Sequence, residues 1–176
     1  MILEKMTDSS SIFITGFMGA GKTTIAKYLS SLMGMAWFDL DSVIQKHEQM
    51  SVQEIFRLKG ESYFREQEYR VINQINTPWV VSLGGGAYIE RRVRQLISVK
   101  GWSVLLDVPF DVLWERVKNK KKRPLVKSYG ELSWLMDQRK FLYQVADIVH
   151  PVTVLEQPRK AALAIHSEIC DRKSIP

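Results

Sequence analysis

Apolar residues fall into short runs separated by stretches of helical spacing. Ser11–Thr15 (SIFIT) is a β-branched and aromatic run that stops at Gly16, which predicts a buried strand. From Thr23 the spacing changes, and Ile25, Leu29, Leu32 and Met33 share one helical face. A second apolar run covers 36–40. Ser51-Val52-Gln53-Glu54 has the form of a capping box and predicts the start of a helix carrying Ile55, Phe56 and Leu58; another helix is expected over about 61–76. Residues 79–83 make a third strand candidate that runs straight into Gly84-Gly85-Gly86, and 102–108 a fourth that ends at Pro109. A helix near 111–118, a basic stretch and a long helix through Leu135, Leu142 and Val145 follow. Residues 152–155 form a weak fifth strand, and 159–170 a closing helix.

Short apolar strands alternating with helices imply a parallel sheet covered on both faces. Neither an internal repeat nor a long linker interrupts the pattern, so the 176 residues are expected to fold as one α/β domain. A chain of this size buries roughly 70% of the surface its unfolded form exposes, and it needs no disulfide to fold. Its one cysteine, Cys170, rules out an internal one and reads as packing.

The first residues carry Glu4, Lys5 and Asp8, and the apolar stretch over 12–18 is short and broken by Gly16. No run approaches the ~20 apolar residues of a membrane span. The expectation is a cytoplasmic protein without membrane contact. A net charge of +6 is compatible with nucleic acid, anionic lipid or a charged small substrate, and does not choose among them.

Residues 16–23 read GFMGAGKT, a full match to G-x-x-x-x-G-K-[ST] placed between a predicted strand and a predicted helix. The chemistry needs these residue types. Glycines let the backbone wrap around phosphates with its N–H groups inward, and the helix start adds partial positive charge. Gly19, Ala20, Gly21, Lys22, Thr23 and Thr24 are therefore assigned to the nucleotide, with Lys22 reaching the β- and γ-phosphates and Thr23 offering its hydroxyl to Mg²⁺. The bland alternative is a glycine-rich turn with an exposed lysine. The motif alone says "nucleoside triphosphate" and leaves the acceptor open.

Further polar groups lie at strand ends or on the following helices: Asp39 and Asp41, Arg65, Gly84-Gly85-Gly86 and Arg139. In open α/β sheets the carboxyl ends of strands form the ligand crevice, so these positions are expected to converge beside the phosphate cradle. Taken singly, an acidic pair at a strand end is usually solvated, an arginine among glutamates is usually a surface ion pair, and three glycines are usually a turn.

The combination GFMGAGKTT, Phe38-Asp39-Leu40-Asp41, Phe64-Arg65-Glu66, Gly84-Gly85-Gly86, Arg123-Pro124-Leu125 and Arg139-x-x-Leu142-Tyr143 resembles the shikimate kinase family. The pieces run in the family's order from about Ile12 to Ala146. The resemblance implies a three-layer P-loop kinase fold with a five-stranded parallel sheet, a small substrate-binding subdomain near 42–77 and a lid near 117–128. It implies ATP-dependent phosphorylation of shikimate at its 3-hydroxyl with Mg²⁺. By the same resemblance, Asp39 joins Thr23 around the metal, and Asp41 binds the substrate hydroxyls and accepts or orients the attacking proton. Arg65 and Arg139 clamp the substrate carboxylate, Gly85 and Gly86 bring backbone N–H groups to it, and Arg123 closes over ATP. Lys22, Asp41 and Arg123 form the catalytic set. Arginine suits a carboxylate clamp because its planar fork pairs bidentately.

Residues 118–123 (KNKKKR) could pass for a nucleic-acid patch, but they lack interleaved aromatics and occupy the expected lid, so no nucleic-acid partner is expected. His47, His150 and His166 lack metal-ligand spacing. The five tryptophans fall mostly on predicted elements and read as core. Phe141 stands where the family often has proline, and residues 153–158 depart from its adenine loop. A monomer working on small molecules is expected. The rivals are a kinase for gluconate or a nucleoside monophosphate, and a catalytically silent nucleotide-binding module.

Overall fold

The computed structural model describes residues 10–118, 128–153 and 156–173. Strands β1 (Ser11–Thr15), β2 (Ala36–Asp39), β3 (Trp79–Ser82), β4 (Gly101–Asp107) and β5 (Ile148–Pro151) form one all-parallel sheet in the order β2-β3-β1-β4-β5. The central strand β1 is buried along its whole length, as a β-branched run covered on both faces must be. Seven helices connect and cover the strands among the described residues: α1 (Lys22–Met33), α2 (Leu40–Glu48), α3 (Val52–Asn73), α4 (Arg91–Lys100), α5 (Phe110–Val117), α6 (Tyr129–Tyr143) and α7 (Pro158–Lys173). α1 packs on α7, while α3 packs on α4, which gives the three-layer arrangement.

The register lines up the chemistry. Asp39, the last residue of β2, pairs with Ser82, the last of β3, and Ser82 also pairs with Ile14 of β1. The carboxyl ends of the three strands therefore meet at one edge of the sheet, where the switch in strand order leaves a crevice.

Several expectations are corrected. The fifth strand lies at Ile148–Pro151, ahead of the expected 152–155, of which 154 and 155 lie outside the described residues; Ile148 stands opposite Val104. His150 and Pro151 hide its apolar pattern, and the proline is tolerated on an edge strand. The helices expected near 51 and over 61–76 are both present, as the two arms of α3, with non-helical backbone at Gly60 (φ 82°, ψ 165°) between them. The Ser51 capping box is present in both directions. α2 and α4 were not foreseen. α2 buries only Leu40 and Ile44, and α4 only Val93 and Ile97, too few turns to reveal a helical period. On α1, Ile25 and Leu29 are buried but Leu32 is exposed. Trp134 is also exposed, against the core reading, and the long helix stops at Tyr143, short of the expected Val145. Cys170 is exposed as well, with its Sγ 3.7 Å from His166 Nε2, so it is not packing.

No helix among the described residues is long and apolar enough to cross a membrane. The lid segment falls almost wholly outside the described residues, and Arg123 with it.

Candidate active site

The phosphate cradle is built by backbone conformation. Gly16, Gly19 and Gly21 all have positive φ, which a side chain would penalise, and they turn the chain from β1 into α1. Gly21 caps α1 without any side-chain hydrogen bond, leaving the N–H groups of the first turn directed outward. The Lys22 ammonium donates to the carbonyls of Gly16 (2.9 Å) and Phe17 (3.0 Å), which folds it back over the loop. Ala20 is buried beneath, while Gly19, Gly21, Thr23 and Thr24 face the cleft. Arg116 on α5 donates to the Gly19 carbonyl at 3.2 Å.

Thr23 and Asp39 are brought together. The Thr23 hydroxyl donates to Asp39 Oδ2 at 2.8 Å, and the Ser82 hydroxyl reaches the same oxygen at 3.0 Å and Thr23 Oγ1 at 3.2 Å. The other carboxylate oxygen, Oδ1, caps α2 by accepting from the Ser42 N–H and hydroxyl, both at 3.1 Å. Asp39 is thus held at both ends. A cluster of hydroxyls around one carboxylate is an all-oxygen donor set with few charges, which suits a hard cation that keeps its waters and binds phosphate oxygens. No group of three or more His, Cys, Asp or Glu side chains among the described residues could hold a softer metal.

On the acceptor side, Arg65 is half-buried on α3. Its Nη1 donates to Glu68 Oε2 at 2.7 Å, and its Nη2 and Nε to Glu61 Oε1 at 2.6 and 3.2 Å. Burial works against the Arg65 charge, but Glu68 and Glu61 outweigh it and raise its pKa, so it stays cationic. Gly84 and Gly86 leave the room this cluster needs. A Cβ on Gly84 would collide with Asp41 Oδ1 and stand 2.9 Å from Glu68 Oε1; one on Gly86 would collide with the Arg65 guanidinium. From α6, Arg139 donates to the Gly85 carbonyl at 3.2 Å, and the Tyr143 hydroxyl donates to the same oxygen. Burial pushes the Tyr143 phenol up to about 12, so it remains a neutral donor.

The two halves meet. A Cβ on Gly85 would lie 3.6 Å from the Met18 backbone nitrogen in the phosphate loop. One cleft of about 590 Å³ is lined from one side by Lys22, Thr23 and Asp39 and from the other by Asp41, Arg65, Gly85, Gly86 and Arg139. Of the catalytic, binding and metal residues assigned from sequence, only Arg123 lies outside the described part. Sequence reading missed Ser82, Glu68, Tyr143 and Arg116. Ser82 was visible as the polar end of the third strand, and Tyr143 sat inside a quoted motif. Glu68 gave no signal, being one glutamate among several on a polar helix.

A family model described as shikimate kinase matches residues 18–170. The shikimate kinase of Aquifex aeolicus is 36% identical over 140 residues, 78% of this chain and 83% of that protein. The one from Rhizobium leguminosarum is 39% identical over 145 residues, 80% of this chain and 74% of its own. Among solved structures, the shikimate kinase from Acinetobacter baumannii in complex with shikimate superposes with a TM-score of 0.88 at 30% identity, covering 95% of this chain and 96% of that one. A gluconokinase from Sinorhizobium meliloti shares the fold at a TM-score of 0.54 and 16% identity, covering 93% of this chain and 94% of its own, and at that identity it speaks for the fold alone. Fold, motif order and relatives agree that the chain belongs to the shikimate kinase family.

Proposed function

We propose that this chain transfers the γ-phosphoryl group of ATP to the 3-hydroxyl of shikimate, giving ADP and shikimate 3-phosphate on the way to chorismate and the aromatic amino acids. The observation that carries the reading is that the phosphate cradle and a two-arginine anionic pocket open onto a single cleft. Family membership supplies the acceptor's identity.

Phosphoryl transfer asks mainly for positioning and for neutralising charge on the transferring group. The α1 N-terminus and loop amides hold the β- and γ-phosphates, and Lys22 supplies a fixed positive charge beside them. Thr23 and Asp39, backed by Ser82, would hold Mg²⁺, which when bound draws charge from the phosphate oxygens. Arg65 and Arg139 grip the acceptor carboxylate, and the Gly85 and Gly86 amides complete that pocket. Asp41 accepts hydrogen bonds from the acceptor hydroxyls and turns the 3-hydroxyl toward phosphorus. With a loose transition state, orientation by Asp41 outweighs its strength as a base. The role of Arg123 over ATP rests on its motif alone. Residues 42–77 serve as the acceptor subdomain, and the enzyme works as a cytoplasmic monomer on small molecules.

The test is ADP release from purified protein with Mg-ATP, with and without shikimate, with gluconate and CMP as controls. Release stimulated by shikimate alone is expected. Nucleotide binding with no stimulation by any acceptor would overturn the reading in favour of a silent nucleotide-binding module.

A further inference from the structure

Among the described residues, carboxylates around the acceptor pocket outnumber its arginines. Arg65 carries one positive charge and already serves the carboxylates of Glu61 and Glu68. Asp41 on α2 lies against the same face of Gly84 as Glu68, and Glu90, just before α4, adds to the negative field there. From α6 the pocket receives the Arg139 guanidinium and the neutral Tyr143 hydroxyl. An acceptor carboxylate arriving at Arg65 and Arg139 adds another anion to this group.

The two glutamates on Arg65 can respond in different ways. The Glu61 side chain is 60% exposed, so it can swing into water when the acceptor takes its place. Glu68 is fully buried at 0% and cannot leave. Its Oε1 is enclosed and has no hydrogen-bond partner among the described residues, an unusual state for an ionised carboxylate, which ordinarily collects several donors. A buried carboxylate that cannot move out answers an added negative charge beside it by taking a proton.

We propose that Glu68 binds a proton when the anionic acceptor enters the pocket, so that acceptor binding is coupled to proton uptake at this buried carboxyl. The inference rests on the acceptor reading above. In the protein without acceptor, burial chiefly, with Asp41 and Glu90 adding and Arg65 opposing, already lifts Glu68 to about 7. The carboxyl is therefore poised where a modest further rise changes its protonation at neutral pH. Arg65 stays cationic and the acceptor carboxylate stays anionic across that range, so neither competes for the proton. In the complex, the neutral Glu68 turns its O–H outward from Oε1 as a donor, while Oε2 keeps accepting from Arg65 Nη1.

The sign follows from linkage. Below the free-protein value Glu68 is already protonated, and binding takes up nothing. Above it, each increment of pH makes the bound proton harder to acquire, and acceptor affinity falls by up to about tenfold per pH unit. A glutamate acting purely as an anchor for Arg65 would leave affinity flat over the same range.

The experiment is calorimetric titration of the intact protein with shikimate, without nucleotide, from pH 6 to 9 in phosphate and in Tris. The two buffers release very different heats when they give up a proton. The expected result is buffer-dependent heat corresponding to net proton uptake that is small at pH 6, grows above pH 7 and approaches one proton, with affinity falling in step. Glu68→Gln, a neutral isostere that can still accept from Arg65, should abolish the uptake and flatten the pH profile. Binding with no difference between buffers at any pH in the unaltered protein would overturn the inference while leaving the acceptor assignment intact. So would an undiminished uptake in Glu68→Gln. No binding heat at all would overturn both.

Discussion

The two halves of the cleft are built on different principles. The half proposed for the nucleotide is local: residues 16–24 are consecutive, and glycines with positive φ shape their backbone. The acceptor half is assembled from Asp41 on α2, Arg65 and Glu68 on α3, the glycines after β3, and Arg139 and Tyr143 on α6. There the lining groups are charged side chains: Arg65 is held by Glu61 and Glu68 of its own helix, and Arg139 by the Gly85 carbonyl after β3. On the proposed reading, a cradle of amides recognises what every nucleoside triphosphate shares, whereas converging side chains select one acceptor. Damage to one half should therefore leave the other largely intact, and three substitutions test how far that holds.

The largest effect is expected in the nucleotide half. Lys22→Met removes the positive charge beside the transferring group and should lower kcat by about 10²–10³-fold. Shikimate affinity, measured by calorimetry without nucleotide, should stay within about twofold, since Lys22 donates to the Gly16 and Phe17 carbonyls of the phosphate loop. A parallel loss of shikimate affinity would show that the halves are not separable.

The opposite experiment follows at the clamp. Arg65→Ala should cost about 2–4 kcal/mol in acceptor recognition, roughly 30- to 1,000-fold in kcat/KM for shikimate. Steady-state kinetics with ATP as the varied substrate should show little change in its KM. Equal damage to both substrates would remove Arg65 from the acceptor site. The substitution also strips buried Glu68 of its cation, so a lower Tm should accompany the kinetic loss.

The same contrast governs what could be read without a structure. The cradle is a consecutive string whose residue types are dictated by phosphate chemistry, and it stood out complete. Arg65 and Arg139 are unremarkable alone, and only their place in an ordered set of motifs distinguished them from surface ion pairs. Glu68 was invisible because its meaning comes from burial: the kink at Gly60 and the packing of α3 turn that position inward. Among the elements, β1 was legible because complete burial gives an unbroken apolar run. The short edge strand β5 and the two small helices were not, because tertiary pairing decides them and each offers only a few apolar positions.

The smallest predicted effect probes the seam between the halves. The Gly85 carbonyl accepts from both the Tyr143 hydroxyl and Arg139, which fixes the peptide whose neighbouring amides are proposed to meet the acceptor. Tyr143→Phe keeps the ring packed and removes one donor, while the Arg139 bond at 3.2 Å remains. The expected cost is about 1 kcal/mol, seen as a rise of roughly fivefold in KM for shikimate. Because the phenol is neutral until about 12, this penalty should not vary between pH 6 and 9. The KM for ATP is the informative control, since Gly85 sits against Met18 of the phosphate loop, where a Cβ would come within 3.6 Å. An unchanged value means that the loop tolerates small shifts of its neighbour and that the halves touch without coupling. A rise equal to that for shikimate would instead mean that the Gly85 peptide positions both substrates, and the division between a local cradle and an assembled pocket would end at that residue.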